Sequence, residues 1–261
     1  MHSARKEIQK QGYTRCEGVF NAEEVADLLL RVKTLQNTFS PPDVSSVPKL
    51  NQGHSIVYSV ETKDIEIFRA LIGKQEVVDV LKFFLNDQWY TQIPKDDPNF
   101  ILRAMIARTG GPQTLPLHID SFIPSSGHLP FVMQVSVVLE TQTIENGCTF
   151  CVPGSHLWDR YADNNIDMKD IVPLVANAGD VVVWDSRLFH GAYPNLTEHT
   201  RWSLVATFTR WWIKQNYQTL RSMRQDVMTT LSTTERAILG FYCDPPLNEY
   251  ERIDIKSGYL N

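Results

Sequence analysis

The sequence predicts a single, mainly β domain with flanking helices over residues 1–261. Its central part, about 99–210, consists of short runs of β-branched and aromatic residues that are separated by turn signals. The parts before and after it, about 1–98 and about 211–261, show helical periodicity instead. With 261 residues, of which 43% are hydrophobic, the chain is long enough to bury one large core.

Two helices are predicted before the β core. Asn21 and Glu24 have the spacing of a capping box, and apolar residues then recur at helical period, so we expect a helix over residues 22–37. A second helix is predicted from Gln75 to Leu85. Between the two, the Ser/Pro-rich stretch from Pro41 to His54 predicts a loop. We expect this loop, a second loop from Phe122 to Pro130 and the C-terminal helices to border the mouth of a binding site.

Eight strands are predicted in the β core, which is the number needed for two packed four-stranded sheets. Turn chemistry such as Asn146-Gly147 and Pro153-Gly154 supports their ends. After them, the stretch from Trp211 to Leu239 has no Pro or Gly and predicts a helical cover. The eight runs are Phe100 to Ala107, Leu115 to Asp120, Phe131 to Glu140, Thr149 to Val152, Ile171 to Leu174, Asp180 to Trp184, Leu188 to Tyr193 and Trp202 to Phe208.

Composition favours a small-molecule partner. The formal charge of -5 and the isoelectric point near 5.8 provide no basic surface for nucleic acid. No apolar run approaches the ~18 residues of a membrane span. Four cysteines are too few for a disulfide framework in a chain of this size. We therefore expect a soluble cytoplasmic protein without nucleic-acid or membrane partners, and the sequence carries no indication of its oligomeric state.

Three residues form a candidate metal site. His118 and Asp120 alternate with Ile119 on a predicted strand, so their side chains point to the same face. His190 ends another apolar strand, and the neighbouring Gly191 allows close approach. Two imidazoles and one carboxylate are the facial ligand set that leaves three coordination positions open on a ferrous ion. Two open positions can take a bidentate 2-oxo acid, and the third can take dioxygen.

Arg201 is the candidate partner for the far end of that acid. It opens a strand on which Ser203, Val205 and Thr207 share its face. An inward guanidinium needs an anion, and its planar fork can form two parallel hydrogen bonds to the remote carboxylate of 2-oxoglutarate. The alternative is a strand-end arginine that pairs with a surface acid such as Glu198.

At this point the sequence resembles the phytanoyl-CoA dioxygenase family of iron(II)/2-oxoglutarate oxygenases. The resemblance implies a double-stranded β-helix (jelly roll, cupin-like) of eight strands. It also implies that His118, Asp120 and His190 are the catalytic iron ligands and that Arg201 binds 2-oxoglutarate. The matching segments are Gln11-Gly12-Tyr13 before the Asn21-capped helix, Leu117-His118-Ile119-Asp120, Glu145-Asn146-Gly147-Cys148, Val152-Pro153-Gly154-Ser155-His156, and Gly179-Asp180 leading to His190 and Arg201.

The resemblance also defines the expected chemistry. Iron(II), 2-oxoglutarate and dioxygen would oxidise a C–H bond of a small molecule, most simply by hydroxylation, and release succinate and carbon dioxide, with ascorbate as the reductant in vitro. Related halogenases have Gly or Ala in place of Asp120, so hydroxylation, or a related desaturation or epoxidation, is favoured over halogenation. The alternative is a cupin-like protein that binds a metal or ligand without oxidative turnover.

Further contacts with 2-oxoglutarate or with the substrate are predicted. In the family a polar residue on the next strand and a small polar residue two positions after the distal histidine contact 2-oxoglutarate; Gln134 can play the first part, but Ala192 lacks the hydroxyl for the second. Arg103 and Met105 share a strand face and are candidate substrate or co-substrate contacts, with an internal ion pair as the alternative for Arg103. His128, in a loop eight residues past Asp120, is a candidate substrate contact.

Overall fold

The computed structural model describes residues 2–38, 55–90, 93, 96–125, 127–163, 165–244, 253–254 and 259–260. Two antiparallel sheets face each other in it. The larger sheet has the order β1-β8-β5-β10-β3-β2, the smaller has the order β4-β9-β6-β7, and β11 pairs with β12. The strands are β1 (Tyr13–Cys16), β2 (Ile56–Tyr58), β3 (Phe100–Arg108), β4 (Leu115–His118), β5 (Val132–Val138), β6 (Thr149–Cys151), β7 (Val172–Pro173), β8 (Val181–Asp185), β9 (His190–Ala192), β10 (Ser203–Arg210), β11 (Ile253–Asp254) and β12 (Tyr259–Leu260).

Helices flank these sheets near both ends of the chain. They are α1 (His2–Gln11), α2 (Ala22–Thr38), α3 (Val60–Lys63), α4 (Ile65–Ile72), α5 (Gln75–Leu85), α6 (Thr219–Ser222), α7 (Gln225–Thr229) and α8 (Thr233–Ile238). The capping box of α2 is formed, because Asn21 Oδ1 accepts from the Glu24 N–H at 3.0 Å and Glu24 Oε2 accepts from the Asn21 N–H at 2.9 Å. In the described parts of the chain, no helix is long and apolar enough to cross a bilayer.

The main hydrophobic core lies between the helices and one face of the larger sheet. Val32 of α2, Phe68 of α4 and Leu85 of α5 are fully buried there, against Phe100 of β3 and Phe208 of β10. Burying such side chains stabilises the fold by about 1.5–3 kcal/mol each. The opposite face of this sheet is turned toward the smaller sheet, and it is this face that carries the polar side chains described below.

All eight predicted core strands are found, four in each sheet: β3, β5, β8 and β10 in the larger and β4, β6, β7 and β9 in the smaller. The larger sheet is extended by two short edge strands, β1 and β2, that the sequence did not predict. Several predicted strands extend beyond the observed ones. The overrun that matters for the site is in β4, which ends at His118, so that Asp120 lies in the following turn. The predicted helix from Gln75 to Leu85 is found with the same ends.

Two predictions for the remaining segments have different outcomes. The stretch from Trp211 to Leu239 does not form a continuous helical cover but three short helices, and the break before α8 coincides with a second capping box at Ser232 and Glu235. The predicted loop from Pro41 to His54 lies outside the described residues.

Candidate metal centre and its cavity

Three side chains with metal-binding atoms meet between the two sheets. His118, at the end of β4, lies directly opposite His190, at the start of β9. One ligand atom from each histidine and one from Asp120 all lie within 4.8 Å of one another. The Asp120 carboxylate is 3.5 Å from His118 Nε2 and 3.2 Å from His190 Nε2. The three predicted residues are therefore brought together around one point.

Close packing at Gly191 permits this approach of β9 to its neighbours. A Cβ at Gly191 would collide with the Leu115 carbonyl of β4 and would lie 2.6 Å from the Phe150 ring of β6. Any side chain here would push β9 away from one of the two strands beside it. The glycine that follows His190 is thus required by the backbone spacing around the centre.

Both imidazoles are oriented by backbone carbonyls. His118 Nδ1 is 2.9 Å from the Pro116 carbonyl, and His190 Nδ1 is 2.9 Å from the Leu188 carbonyl. Because a carbonyl only accepts, Nδ1–H is the donor in each ring. Nε2 is therefore the nitrogen that faces Asp120, and it can bind a metal ion once it has lost its own proton. Partners of this kind fix the tautomer of histidines that bind metals. Two neutral imidazoles and a carboxylate in this arrangement fit a divalent cation such as iron(II).

Asp120 is held from both sides. Its backbone N–H donates to the Ser186 carbonyl at 2.8 Å, in the turn between β8 and β9. Its Oδ2 accepts from Gln134 Nε2 at 2.9 Å, and Gln134 Oε1 accepts from Thr207 Oγ1 at 2.8 Å. Gln134 and Thr207 face each other on β5 and β10. The larger sheet thereby sets the direction in which this carboxylate points.

The charges at the centre reinforce each other. Burial opposes ionisation of Asp120, but the imidazoles of His190 and His118 outweigh it and hold the pKa of that carboxyl well below its usual range. Burial also opposes the charged form of His118, but Asp120 and the Pro116 carbonyl outweigh it and raise the pKa of His118. The site therefore carries an ionised carboxylate that attracts cations.

Arg201 lies just before β10 and is 5% exposed. Its Nε–H has no hydrogen-bond partner among the described residues, and no described carboxylate pairs with its guanidinium. The alternative pair with Glu198 is not formed, since Glu198 lies in an exposed loop. Leaving a buried cation without a partner is costly. This guanidinium therefore fits a carboxylate ligand such as that of 2-oxoglutarate.

The surroundings of Arg201 add to this cost. Burial, together with the like charge of Arg108, lowers the pKa of Arg201 to about 10, which still leaves it charged at neutral pH. Gly110 lies against the guanidinium, and a Cβ there would be 3.1 Å from Nε and 3.3 Å from Nη2 of Arg201. Because Gly110 has no side chain, the guanidinium of Arg201 can occupy this position.

A single cavity of about 390 Å³ contains both the three-residue centre and Arg201. This volume lies in the lower part of the range for small-molecule sites. The inward face that the sequence predicted for β10 is confirmed, because Arg201, Ser203, Val205 and Thr207 all line the cavity. Of the further predicted contacts, Gln134, Ala192 and Arg103 also line it.

Two predicted contacts lie elsewhere. Met105 is fully buried in the core on the opposite face of the larger sheet, because an extra residue in β3 separates its face from that of Arg103. The prediction that these two residues share a face was wrong for that reason. His128 is exposed and does not line the cavity, since its loop carries it outward.

The cavity also contains residues that the sequence did not single out. Arg108 follows Ala104 and Ile106 on the inward face of β3, so strand alternation could have identified it. Trp184 lies opposite Gln134 on β8, and its Nε1–H has no partner among the described residues. Phe122 belongs to the loop predicted to border the mouth, and it does line the cavity, although no periodic pattern could indicate which residue of that loop would do so.

The fold and the His-x-Asp…His centre define the class of jelly-roll proteins that bind a metal between two sheets. Residues 8–203 match the family model described as Phytanoyl-CoA dioxygenase (PhyH). This match covers most of the chain, and the chain belongs to the phytanoyl-CoA dioxygenase family.

Individual relatives agree with this assignment. Over an alignment of 203 residues the chain is 29% identical to the protein named Dioxygenase af480 of Aspergillus fumigatus. This alignment covers 76% of this chain and 63% of that protein. Over an alignment of 194 residues it is 24% identical to a probable alpha-ketoglutarate-dependent hypophosphite dioxygenase of Stutzerimonas stutzeri. This second alignment covers 70% of this chain and 62% of that protein. The chain thus spans less than two thirds of the length of these relatives.

Solved structures share the fold. The epimerase SnoN in complex with Fe3+, alpha ketoglutarate and nogalamycin RO has a TM-score of 0.64 at 18% identity, over 89% of this chain and 92% of SnoN. EctD from S. alaskensis, with 2-oxoglutarate and 5-hydroxyectoine, has a TM-score of 0.62 at 20% identity, over 80% of this chain and 76% of EctD. The predicted double-stranded β-helix is confirmed by this likeness.

Proposed function

We propose that the protein is an iron(II)- and 2-oxoglutarate-dependent oxygenase that hydroxylates a C–H bond of a small molecule and releases succinate and carbon dioxide. The observation that carries this proposal is the buried Arg201, which has no carboxylate partner among the described residues and lies in the same cavity as His118, Asp120 and His190. One end of 2-oxoglutarate can chelate a metal, and the other end is a free carboxylate. The cavity offers a matching group for each end.

His118, Asp120 and His190 would hold the iron and leave three of its positions open. Bound together, iron, 2-oxoglutarate and dioxygen supply the oxidising chemistry. The protein's own residues provide geometry for it: Gln134 and Thr207 fix the Asp120 carboxylate. In this position Gln134 is a positioning residue for the metal ligand, and its contact with 2-oxoglutarate stays a prediction.

Thr149 supplies a hydroxyl beside Ala192, the position at which the family has a small polar residue and this chain has none. The two residues face each other on β6 and β9, and both line the cavity. A threonine hydroxyl can donate one hydrogen bond and accept others. We therefore assign to Thr149 the carboxylate contact that Ala192 cannot make.

The ionised Asp120 supports hydroxylation over halogenation, because a carboxylate ligand occupies the place that a halide would need. A cupin-like protein without oxidative turnover is the less favoured alternative. Such a protein would have no use for the unpaired Arg201, whose burial without an anion is unfavourable.

Succinate formation tests this proposal. Purified protein with iron(II), ascorbate and 2-oxoglutarate should form succinate, and His118→Ala should abolish both iron uptake and turnover. Arg201→Ala should weaken 2-oxoglutarate binding and leave metal affinity nearly intact, and His199→Ala, in an exposed loop, is the matched histidine control. Absence of succinate from the iron-loaded wild-type protein, or a metal affinity that falls with Arg201→Ala, would contradict the proposal.

We also propose that the chain acts as one domain on a small-molecule substrate in the cytoplasm. The shared core supports the single domain, because helices from the N-terminal part and residues of the C-terminal part, such as Ile238, pack on the same sheet. The cytoplasmic location rests on the sparse cysteines, all four of which are free thiols.

A further inference from the structure

Arg103 reaches the cavity because of a β-bulge. In the register of β3 with β10, Ala104 faces Thr207 and Leu102 faces Phe208, so Arg103 is one extra residue on its strand. The extra residue interrupts the alternation, and Arg103 and Ala104 both line the cavity as a result. Bulges that redirect a side chain in this way are frequent beside active sites.

The segment after β10 holds the bulge in place. The Leu102 carbonyl accepts from Gln215 Nε2 at 2.7 Å, and the Arg103 carbonyl accepts from the Asn216 N–H at 3.1 Å. Both carbonyls next to the irregularity are therefore satisfied. Asn216 and Tyr217 themselves line the cavity, so the same segment closes part of its wall.

The side chain of Arg103 has an incomplete set of partners. It is half-buried, and its Nε–H has no hydrogen-bond partner among the described residues. Its guanidinium carbon lies 4.6 Å from the centre of the Phe122 ring, which is a cation–π contact. Such a contact uses the face of the guanidinium and leaves the N–H donors at its edge available to an anion.

Phe122 is held where it meets Arg103. Its φ of 66° is left-handed, a strained conformation for a bulky residue that persists only where the surroundings impose it. Arg187 supplies such a restraint, because it donates to the carbonyls of Ser125 and Gly127 at 3.0 Å and 2.8 Å. The loop that carries Phe122 is thereby tied to the turn before His190.

Arg103 lies on the far side of the metal centre from Arg201. Thr207 and Ala104 face each other and mark the level of the centre, since Thr207 bonds the amide that holds Asp120. From Thr207, β10 runs back four residues, about 13 Å, to its start at Ser203, and Arg201 lies beyond that end. Arg103 lies in the other direction, next to the exposed ring at the cavity mouth.

We infer that the substrate carries an anionic group, a carboxylate or a phosphate, that pairs with Arg103 beside the Phe122 ring. The inference rests on the proposed function. Among the described residues that line the cavity, three are arginines, Arg103, Arg108 and Arg201, and one is an acid, Asp120. Bound 2-oxoglutarate has one carboxylate for Arg201 and one for the metal, and therefore none for Arg103. Because both molecules share about 390 Å³, the substrate is small.

Calorimetric titration with benzoate and benzamide tests this inference. The two probes have nearly the same shape, but only benzoate is charged. With protein that carries Zn(II) and saturating 2-oxoglutarate, wild type should bind benzoate about tenfold or more tightly than benzamide, as expected for a hydrogen-bonded charge pair. Arg103→Gln should remove this preference. Arg160→Gln should keep it, because Arg160 makes the same kind of contact with Trp158 outside the cavity.

Three outcomes would overturn the inference: equal affinity of wild type for the two probes, no binding of either probe, or a benzoate preference that persists in Arg103→Gln. Before the probes are added, the Zn(II)-loaded protein is titrated with 2-oxoglutarate. This titration distinguishes failure of the substrate inference from failure of the proposed function. If Zn(II)-loaded wild type does not bind 2-oxoglutarate, the proposed function is wrong. If it binds 2-oxoglutarate and shows no benzoate preference, only the substrate inference is wrong. Uptake of 2-oxoglutarate by Arg103→Gln shows that this variant is folded.

Discussion

Arg187 and Arg201 are almost equally buried, at 3% and 5% exposed, yet of the two only Arg187 has a carboxylate partner among the described residues. Arg187 donates to both carboxylate oxygens of Asp185 and to two backbone carbonyls. Arg201 has no described partner for its Nε–H and lies at the wall of a cavity. A buried arginine with all its partners completes the fold, whereas one that faces a cavity without partners leaves a place for an anion.

The difference shows that burial alone does not separate structural from functional charges. Both arginines follow an apolar strand or precede one, and the sequence gives them similar surroundings. Only the supply of acceptors in the folded chain distinguishes them. The following variants test this distinction through the free energy of unfolding and through ligand affinity.

The largest effect is expected for Asp185→Ala. This substitution leaves the buried Arg187 without its carboxylate, so the free energy of unfolding should fall by about 3–5 kcal/mol. Chemical denaturation measures the loss. Asp163→Ala is the matched control, because Asp163 pairs with Arg160 at the surface, where both side chains are more than 40% exposed and an ion pair contributes about 1 kcal/mol or less. Equal losses in the two variants would contradict the distinction.

Glu61 extends the test to a buried acid. It is 1% exposed, and neither carboxylate oxygen forms a hydrogen bond of good geometry with a described residue. Burial raises its pKa to about 7, because the opposing effects of Lys63 and Thr219 are smaller. Because the ordinary pKa of 4.5 is lower, the folded chain binds this proton more tightly than the unfolded chain, and stability falls as pH rises from about 4.5 through 7. At pH 8 the cost is about 3 kcal/mol.

Glu61→Gln should therefore stabilise the protein by an amount of that order at pH 8 and have little effect at pH 4. Denaturation curves at the two pH values measure the difference. Glu198→Gln, in an exposed loop, should change stability at neither pH. A Glu61→Gln variant that is destabilised equally at both pH values would show that the carboxylate has a partner in the folded chain.

Arg201→Met should behave opposite to Asp185→Ala. Removing a buried cation that lacks a partner costs no ion pair, so the ligand-free protein should be as stable as wild type within about 1 kcal/mol, or more stable. Thermal and chemical denaturation without 2-oxoglutarate measure this. A loss as large as that of Asp185→Ala would mean that Arg201 is structural.

Gly110→Ala should have the smallest effect. The added Cβ would lie 3.1 Å from Arg201 Nε, so the guanidinium must shift by a few tenths of an ångström. We expect the affinity for 2-oxoglutarate to fall roughly threefold to tenfold, equivalent to about 1 kcal/mol, with metal affinity unchanged. Titration of the metal-loaded variant with 2-oxoglutarate measures this change, and an unchanged affinity would show that Arg201 can move freely.

The strands and the metal centre could be predicted because their patterns are local. Alternation and turn residues marked all eight core strands. The spacing of His118 and Asp120 and the inward face of Arg201 indicated side chains that line the same cavity in the folded chain. The edge strands β1 and β2 were not predicted, since they are short and gain their partners only in the larger sheet. Pairing of this kind depends on tertiary contacts that no local pattern records.

The predicted cavity contacts that failed did so at irregular backbone. One extra residue in β3 moved Arg103 and Met105 to opposite faces, and nothing in the sequence of that strand indicates a bulge. A turn with left-handed backbone brought Phe122 to the cavity instead of His128. Alternation arguments hold along a regular strand and lose their meaning at the first bulge or turn.

Binding of 2-oxoglutarate and of 2-oxobutyrate to the Zn(II)-loaded protein tests most directly whether Arg201 is the partner of a carboxylate. The two acids share the metal-chelating end, and 2-oxobutyrate lacks the remote carboxylate. Wild type should bind 2-oxoglutarate about 100-fold more tightly, and Arg201→Ala should bind both acids with similar affinity. Equal affinities in wild type, or a preference that survives in Arg201→Ala, would show that the buried guanidinium serves another purpose.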